Sequence, residues 1–355
     1  MKNNFLNLYL DIHIIQMLPP SNVNRGQMGE PKSAFVGGTL RARVSSASQK
    51  RPTRLDFMRH GYKIGIRTKT PAAEIQRRLM DAGIEEERAL ELAKMAVTES
   101  KIGSAKENAK SALVFLSEAQ FEAVAKTMYD FEKDSAPEKQ KLKALKDSLK
   151  TAVKENPSID QLLFGRMFAD NAALNYDAAA QVMHGFSVNT MRYEYDYFSA
   201  VDDLSKMQNP EHAGAGHISS KLFTDPILYR YANVNLSDTS ELLKYDREHA
   251  AEDAVAFAES FIMTLPTGAS NAYASGTMPS FVLLVLREDR PINLAPAFVE
   301  PVKSDNYIAE AIEKLETEKE RISKCYGAPV LSVDSRDTSL KDMLTQVREE
   351  IMRRL

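Results

Sequence analysis

Leu6-Asn7-Leu8-Tyr9-Leu10-Asp11-Ile12-His13-Ile14-Ile15 sets an apolar side chain at every second position, the period of a β-strand with one buried face. Strand character recurs at 191–201, 227–236 and 280–288. Between the first strand and these, 71–82, 85–97, 118–132, 137–153 and 159–175 carry the Ala, Leu, Lys and Glu spacing of amphipathic helices. Further helices are expected at 240–264, 306–326 and 338–355. Ser45, Ser46 and Ser48 offer N-caps for a helix bearing Lys50, Arg51 and Arg54, with Pro52 near its first turn. Residues 203–220 hold Asn209-Pro210 and show no period, so they read as a long hairpin-like arm. The pattern predicts an α+β chain. A β-containing unit at 1–69 and 181–355 is split by an all-helical insertion at 70–180, and an arm lies at 200–222.

With 355 residues, 43% of them hydrophobic and 27% charged, the chain has the composition of a globular protein with a sizeable core. One cysteine, Cys325, excludes a disulfide framework and any multi-cysteine metal site. Apolar runs such as 281–286 are far shorter than a bilayer span, and the first residues lack the layout of a signal peptide. A cytoplasmic protein is expected.

The net charge of −3 hides a local imbalance. From Arg25 to Arg67 ten basic residues face only Glu30 and Asp56, so this segment carries +8 and the remainder −11. A basic segment on an acidic body suits a polyanion, although a merely solvated face gives the same count. Within the segment, Arg and Lys supply charge to phosphates, and Gly37-Gly38 permits close backbone approach. The start of the Ser45 helix adds hydroxyls and free N–H groups. Lys50 and Arg54, four apart, share a helical face. None of these groups reads base edges, so the expected mode is sequence-independent backbone contact. Lys139, Lys143, Lys146 and Lys150 form a second stripe, which a solvated face explains equally well.

Signatures of catalysis are missing: no G-x-G-x-x-G, no phosphate-binding P-loop, no H-E-x-x-H and no G-x-S-x-G. His212 and His217 lie close together in the arm, and Asp202-Asp203 offers either a Mg²⁺ ligand pair or a structural cap. Neither pattern amounts to a metal site, and no cofactor is expected.

Val23-Asn24-Arg25 followed by the stretch Phe35-Val36-Gly37-Gly38-Thr39-Leu40-Arg41-Ala42-Arg43-Val44-Ser45-Ser46-Ala47-Ser48-Gln49-Lys50-Arg51 resembles the N-terminal signature of the CasC-type backbone subunit of type I-E CRISPR Cascade, within the RAMP superfamily. Phe164-Gly165-Arg166-Met167, Tyr197–Leu204 and Tyr229–Leu236 continue the match in the family's order. The resemblance implies a modified ferredoxin-like, RRM-like palm, interrupted by helical fingers and extended by a β-hairpin thumb. It implies side-by-side copies along a CRISPR RNA, together with other Cascade subunits. The spacer is held for pairing with target DNA, and the thumb displaces bases periodically.

By position, the resemblance implies RNA contacts from Asn24, Arg25, Lys32, Arg41, Arg43, Ser45, Gln49, Lys50, Arg51, Arg54 and Arg166. It adds an apolar wedge at Met167 and a stacking ring at Phe198, two residues that spacing alone assigns to core packing. Lys141, Lys143 and Lys146 fall near a lysine cluster that touches target duplex DNA in relatives. The loop at 267–277 has no lysine where relatives commonly carry one. Two other readings stay open: an RNA-cleaving endoribonuclease of the same superfamily, and a helical scaffold docking acidic proteins. The loop at 17–31 contains Glu30 but none of the aspartates that cleaving relatives use there.

Overall fold

The computed structural model describes residues 6–103, 113–168, 171–201 and 215–355. Its strands are β1 (Tyr9–Met17), β2 (Ser33–Val36), β3 (Thr39–Val44), β4 (Ile66–Thr68), β5 (Val114–Leu116), β6 (Ala180–Val182), β7 (Gly185–Ser187), β8 (Glu194–Val201), β9 (Ala215–Phe223), β10 (Ile227–Asn235), β11 (Phe281–Arg287) and β12 (Leu331–Asp334). The helices are α1 (Ser46–Asp56), α2 (Pro71–Asp81), α3 (Glu86–Ser100), α4 (Glu118–Lys133), α5 (Glu138–Lys154), α6 (Ile159–Phe164), α7 (Glu241–Tyr245), α8 (Ala250–Met263), α9 (Ser270–Tyr273), α10 (Tyr307–Tyr326) and α11 (Leu340–Arg354). None of these helices is long and apolar enough to cross a membrane.

The main sheet is antiparallel in the order β12-β11-β1-β10-β7-β3-β2, with β6 also on β10. β1 is central: Ile12 pairs with Ala232 on one side and Leu284 on the other. Leu10, Ile12 and Ile14 pack against Phe257 and Phe261 of α8 and Val347 and Ile351 of α11. The sequence predicts one buried face, yet Leu10–Gln16 are buried throughout. The second face is covered by the 292–302 segment and α10, through Leu294, Phe298 and Leu315. Polar side chains trapped there satisfy one another. Asp11 accepts from the Tyr231 hydroxyl at 2.7 Å and from the Ile292 N–H at 2.9 Å. His13 Nδ1 lies 2.9 Å from the Tyr229 hydroxyl, and burial pulls its pKa down to about 3, which keeps the ring neutral.

A second apolar cluster stands apart from the sheet. It joins Ile75 and Leu79 of α2, Leu92 and Val97 of α3, Phe121 and Met128 of α4 and Leu149 and Val153 of α5. Two long helices expected from periodicity are broken. The one starting at 159 ends after Phe164 because Gly165 takes φ 78°, held where a Cβ would sit 3.2 Å from the Tyr176 carbonyl. The stretch at 240–264 divides into α7 and α8. Pro52 is the seventh residue of α1 rather than near its start. Ala215–Phe223, most of which falls in the aperiodic stretch 203–220, is a strand paired antiparallel with β8, in keeping with a hairpin-like arm. Its period is hidden because few side chains on either face of this two-stranded ribbon are buried. The tip of the expected arm, 202–214, lies outside the described residues.

Asp253 is buried in α8, and that burial pushes its carboxyl up to about 7 from an ordinary 3.8. The folded chain therefore holds a proton that the unfolded chain releases, and stability falls as pH rises from about 4 to about 7. Thermal melts of Asp253→Asn are expected to show a raised Tm at pH 8 and little change at pH 4.

Candidate nucleic-acid interface

The loop between β1 and β2 is stitched down at both ends. Leu18 and Ser21 N–H groups donate to Pro226 and Thr224 carbonyls at 2.9 Å each, and Asn22 Nδ2 donates to Gly29 and Leu222 carbonyls at 2.8 and 3.0 Å. Glu30 is spent on the turn, accepting from Met28 N–H at 3.0 Å. The 267–277 loop buttresses this segment from below. Gly268 approaches so closely that a Cβ would lie 2.2 Å from the Val23 carbonyl oxygen, and Thr277 Oγ1 donates to the Met17 carbonyl at 2.7 Å.

Asn24 joins the loop to α1. Its Oδ1 accepts from Ser45 N–H at 2.8 Å, and Ser45 Oγ in turn accepts from Ser48 N–H at 3.3 Å as the helix N-cap. The Lys32 N–H donates to the Asn24 carbonyl, and Arg43 N–H to the Lys32 carbonyl. Arg25 and Arg51 are exposed, with Lys32 and Lys50 half-buried. Burial first, and Arg67 second, hold the Lys50 ammonium below its usual range. Lys50 and Arg51 are the fifth and sixth residues of α1, whose N-terminus adds the positive end of its dipole to these cations.

Several expected RNA contacts are occupied inside the protein. Arg41 is fully buried and gives its guanidinium to the carbonyls of Ser187, Val188, Phe298 and Val299 at 2.8–3.3 Å. Gln49 is buried, donating to the Met183 carbonyl at 2.9 Å and accepting from Arg230 Nε at 3.1 Å. Arg166 is buried, with its fork on the Leu174 and Val153 carbonyls and Gln120 Oε1, and burial lowers its pKa to about 10. Arg54 pairs with the buried Asp160 at 2.5 Å and also donates to the Gly65 carbonyl. These four side chains correct the expectation of direct phosphate contact, since each is committed to carbonyls, amides or a carboxylate of this chain. Asn24 likewise spends its Oδ1 on the fold. Arg43 remains half-buried at the surface, 2.7 Å from His184 Nδ1.

Met167 is 80% exposed, which overturns its core-packing reading. Phe198 is half-buried on the β8–β9 hairpin, with Lys221 Nζ 4.7 Å from its ring centroid. In the lysine stripe, Lys141 donates to the Asp134 carbonyl at 2.6 Å and lies over Phe131, while Lys146 pairs with Glu99 at 3.1 Å. Lys143 is exposed. Sequence reasoning missed three participants: the buttress at 267–277, Asp160 as the partner of Arg54, and Arg67, whose guanidinium lies 4.5 Å from the Phe115 centroid. Charge is the only sequence signal of Asp160 and Arg67, and the 267–277 loop offers only its glycines, because the pairings span distant segments. Asp202, Asp203 and His212 lie outside the described residues, and among the described residues no three His, Cys, Asp or Glu side chains converge as a metal site.

The profile of the CT1975-like protein family matches residues 10–352. A chain of a solved "CRISPR RNA-guided surveillance complex, pre-nicking" is similar at 29% identity with a TM-score of 0.78, covering 98% of this chain and 100% of that one. A chain of another "CRISPR RNA-guided surveillance complex" shares the fold at 24% identity and a TM-score of 0.59, with the same coverage. Comparison with curated protein sequences found no match.

Arg54→Glu sets a second carboxylate against buried Asp160 and is expected to cost about 3–5 kcal/mol, the penalty for breaking a buried pair. Arg51→Glu, at an exposed position, is expected to leave denaturant unfolding within about 0.5 kcal/mol of the parent.

Proposed function

The chain belongs to the CT1975-like protein family, and we propose from that premise that it is a non-catalytic, CRISPR RNA-binding backbone subunit of a type I-E Cascade complex, of the CasC type. The observation that carries this reading is the meeting of Arg25, Lys32, Ser45, Lys50 and Arg51 around the first turns of α1, where Asn24 ties the loop to Ser45. The similarity to a chain of an RNA-guided surveillance complex supports it.

The sheet order β11-β1-β10-β6, with α1 following β1 and α8 following β10, is that of a ferredoxin-like βαββαβ unit and supports the palm assignment. The separate apolar cluster of α2–α5 corresponds to the fingers and the β8–β9 hairpin to the thumb. In such a unit the open sheet face usually stacks on bases. Here that face is buried beneath α10, so RNA is left the rim of loops where cations gather. Lysine and arginine there neutralise backbone phosphates and release counterions without reading sequence. Met167 supplies an apolar surface for an unstacked base. Specificity then rests on base pairing between the held spacer and target DNA, with copies of this chain side by side along the guide. Lys143 is the position on the lysine stripe best placed to meet that DNA. Commitment of Glu30 to its own turn weakens the endoribonuclease alternative.

Incubation of the purified chain with labelled CRISPR RNA and Mg²⁺, split over native and denaturing gels, tests the proposal. A ladder of shifted species over intact RNA is expected, and discrete cleavage products would overturn it. Lys32→Glu combined with Arg51→Glu is expected to weaken binding at least about tenfold. The slope of log affinity against log salt should flatten by about 0.7 for each phosphate that is no longer neutralised.

A further inference from the structure

We propose that Lys50 and Arg67 together form one phosphate-binding site across the junction of the sheet unit and the helical unit, taking a phosphodiester of single-stranded RNA. The inference rests on the RNA-binding reading above and extends it to a residue outside the family motif.

Arg67 lies on β4 directly across from Phe115 on β5, and its guanidinium carbon stands 4.5 Å from that ring's centroid. The guanidinium of Arg54 reaches the same ring at 5.3 Å. Two like charges thus share one aromatic surface, and the carboxylate beside them, Asp160, is taken by Arg54 and by Gly65 N–H at 3.0 Å. Gly65 has to be small, because a Cβ there would come within 2.6 Å of Phe115. One turn before Arg54 on α1, Lys50 Nζ sits 5.4 Å from the centroid of Phe164, four residues beyond Asp160 on α6. Neither Lys50 nor Arg67 forms an ion pair among the described residues.

Both cations are held below their usual range. Burial is the main cause for each, with Arg67 opposing Lys50 and Arg54 opposing Arg67. Lys50 is half-buried and Arg67 exposed, and crowded cations held on aromatic walls gain most from an anion that touches them together. A phosphodiester presents two non-bridging oxygens, one for the fork and one for the ammonium. Lys50 belongs to α1 of the sheet unit, whereas Arg67 belongs to the β4–β5 pair beside the helical cluster. A bound phosphate therefore ties the two units together.

The test uses the full chain and a labelled single-stranded RNA of guide length, titrated over a KCl series. Arg67→Gln, Lys50→Gln, the double variant and Arg51→Gln are compared with the parent. The double variant is expected to bind about tenfold more weakly and to flatten the slope of log affinity against log salt by about 0.7, the value for one phosphate on a single strand. A flattening of about 1.4, as for two separate phosphates, would overturn the shared site. So would parental binding by the double variant while Arg51→Gln binds weakly, an outcome that leaves the RNA-binding reading intact. Parental binding by all four variants would remove that reading as well. A variant that merely folds poorly lowers the active fraction without moving the slope.

Discussion

Burial of β1 on both faces governs what the rest of the molecule does. With β10 and β11 hydrogen-bonded to its edges, α8 and α11 on one side and α10 on the other, the strand has no surface to offer a ligand. Asp11, His13, Tyr229 and Tyr231, which would be groups for recognition on an open sheet, become an internal network instead. Groups free to act outward therefore lie off the faces of this strand, on loops, on the first turns of α1 and on the smaller strand pairs.

The same economy shapes the use of arginine. A guanidinium carries five donors in a fixed fork, so a buried one gathers several carbonyls at once. Arg41, Arg166 and Arg230 do this, binding segments far apart in the chain, and burial lowers the pKa of Arg230 to about 9. Arg54 instead neutralises Asp160 at the seam between the units. A part of the +8 counted between Arg25 and Arg67 is therefore structural cement, and the outward-facing charge is smaller and more focused than the sequence suggests.

The alternation at Leu6–Ile15 and the amphipathic periods of α2–α5 and α10 made the mixed architecture legible, because each follows from which side chains meet an apolar neighbour. The second buried face of β1 was not legible, since its covering comes from residues some 280 positions away. The break at Gly165 turns on one backbone angle that helical periodicity does not report. In the candidate site, residue types were readable and their destinations were not. Arg51 and Arg54 look alike in sequence, but one faces water and the other a buried aspartate. Arg67 is counted in the basic segment, but its place at the site is not readable because its aromatic neighbour Phe115 is brought to it only by folding.

Photo-crosslinking tests the central claim most directly: RNA carrying 4-thiouridine is bound to the full chain, irradiated, and the attached peptides are identified. The account predicts crosslinks within 24–54 and 163–168, at the rim around α1. Crosslinks concentrated on α10 and the 292–302 segment, over the covered face of the sheet, would contradict it.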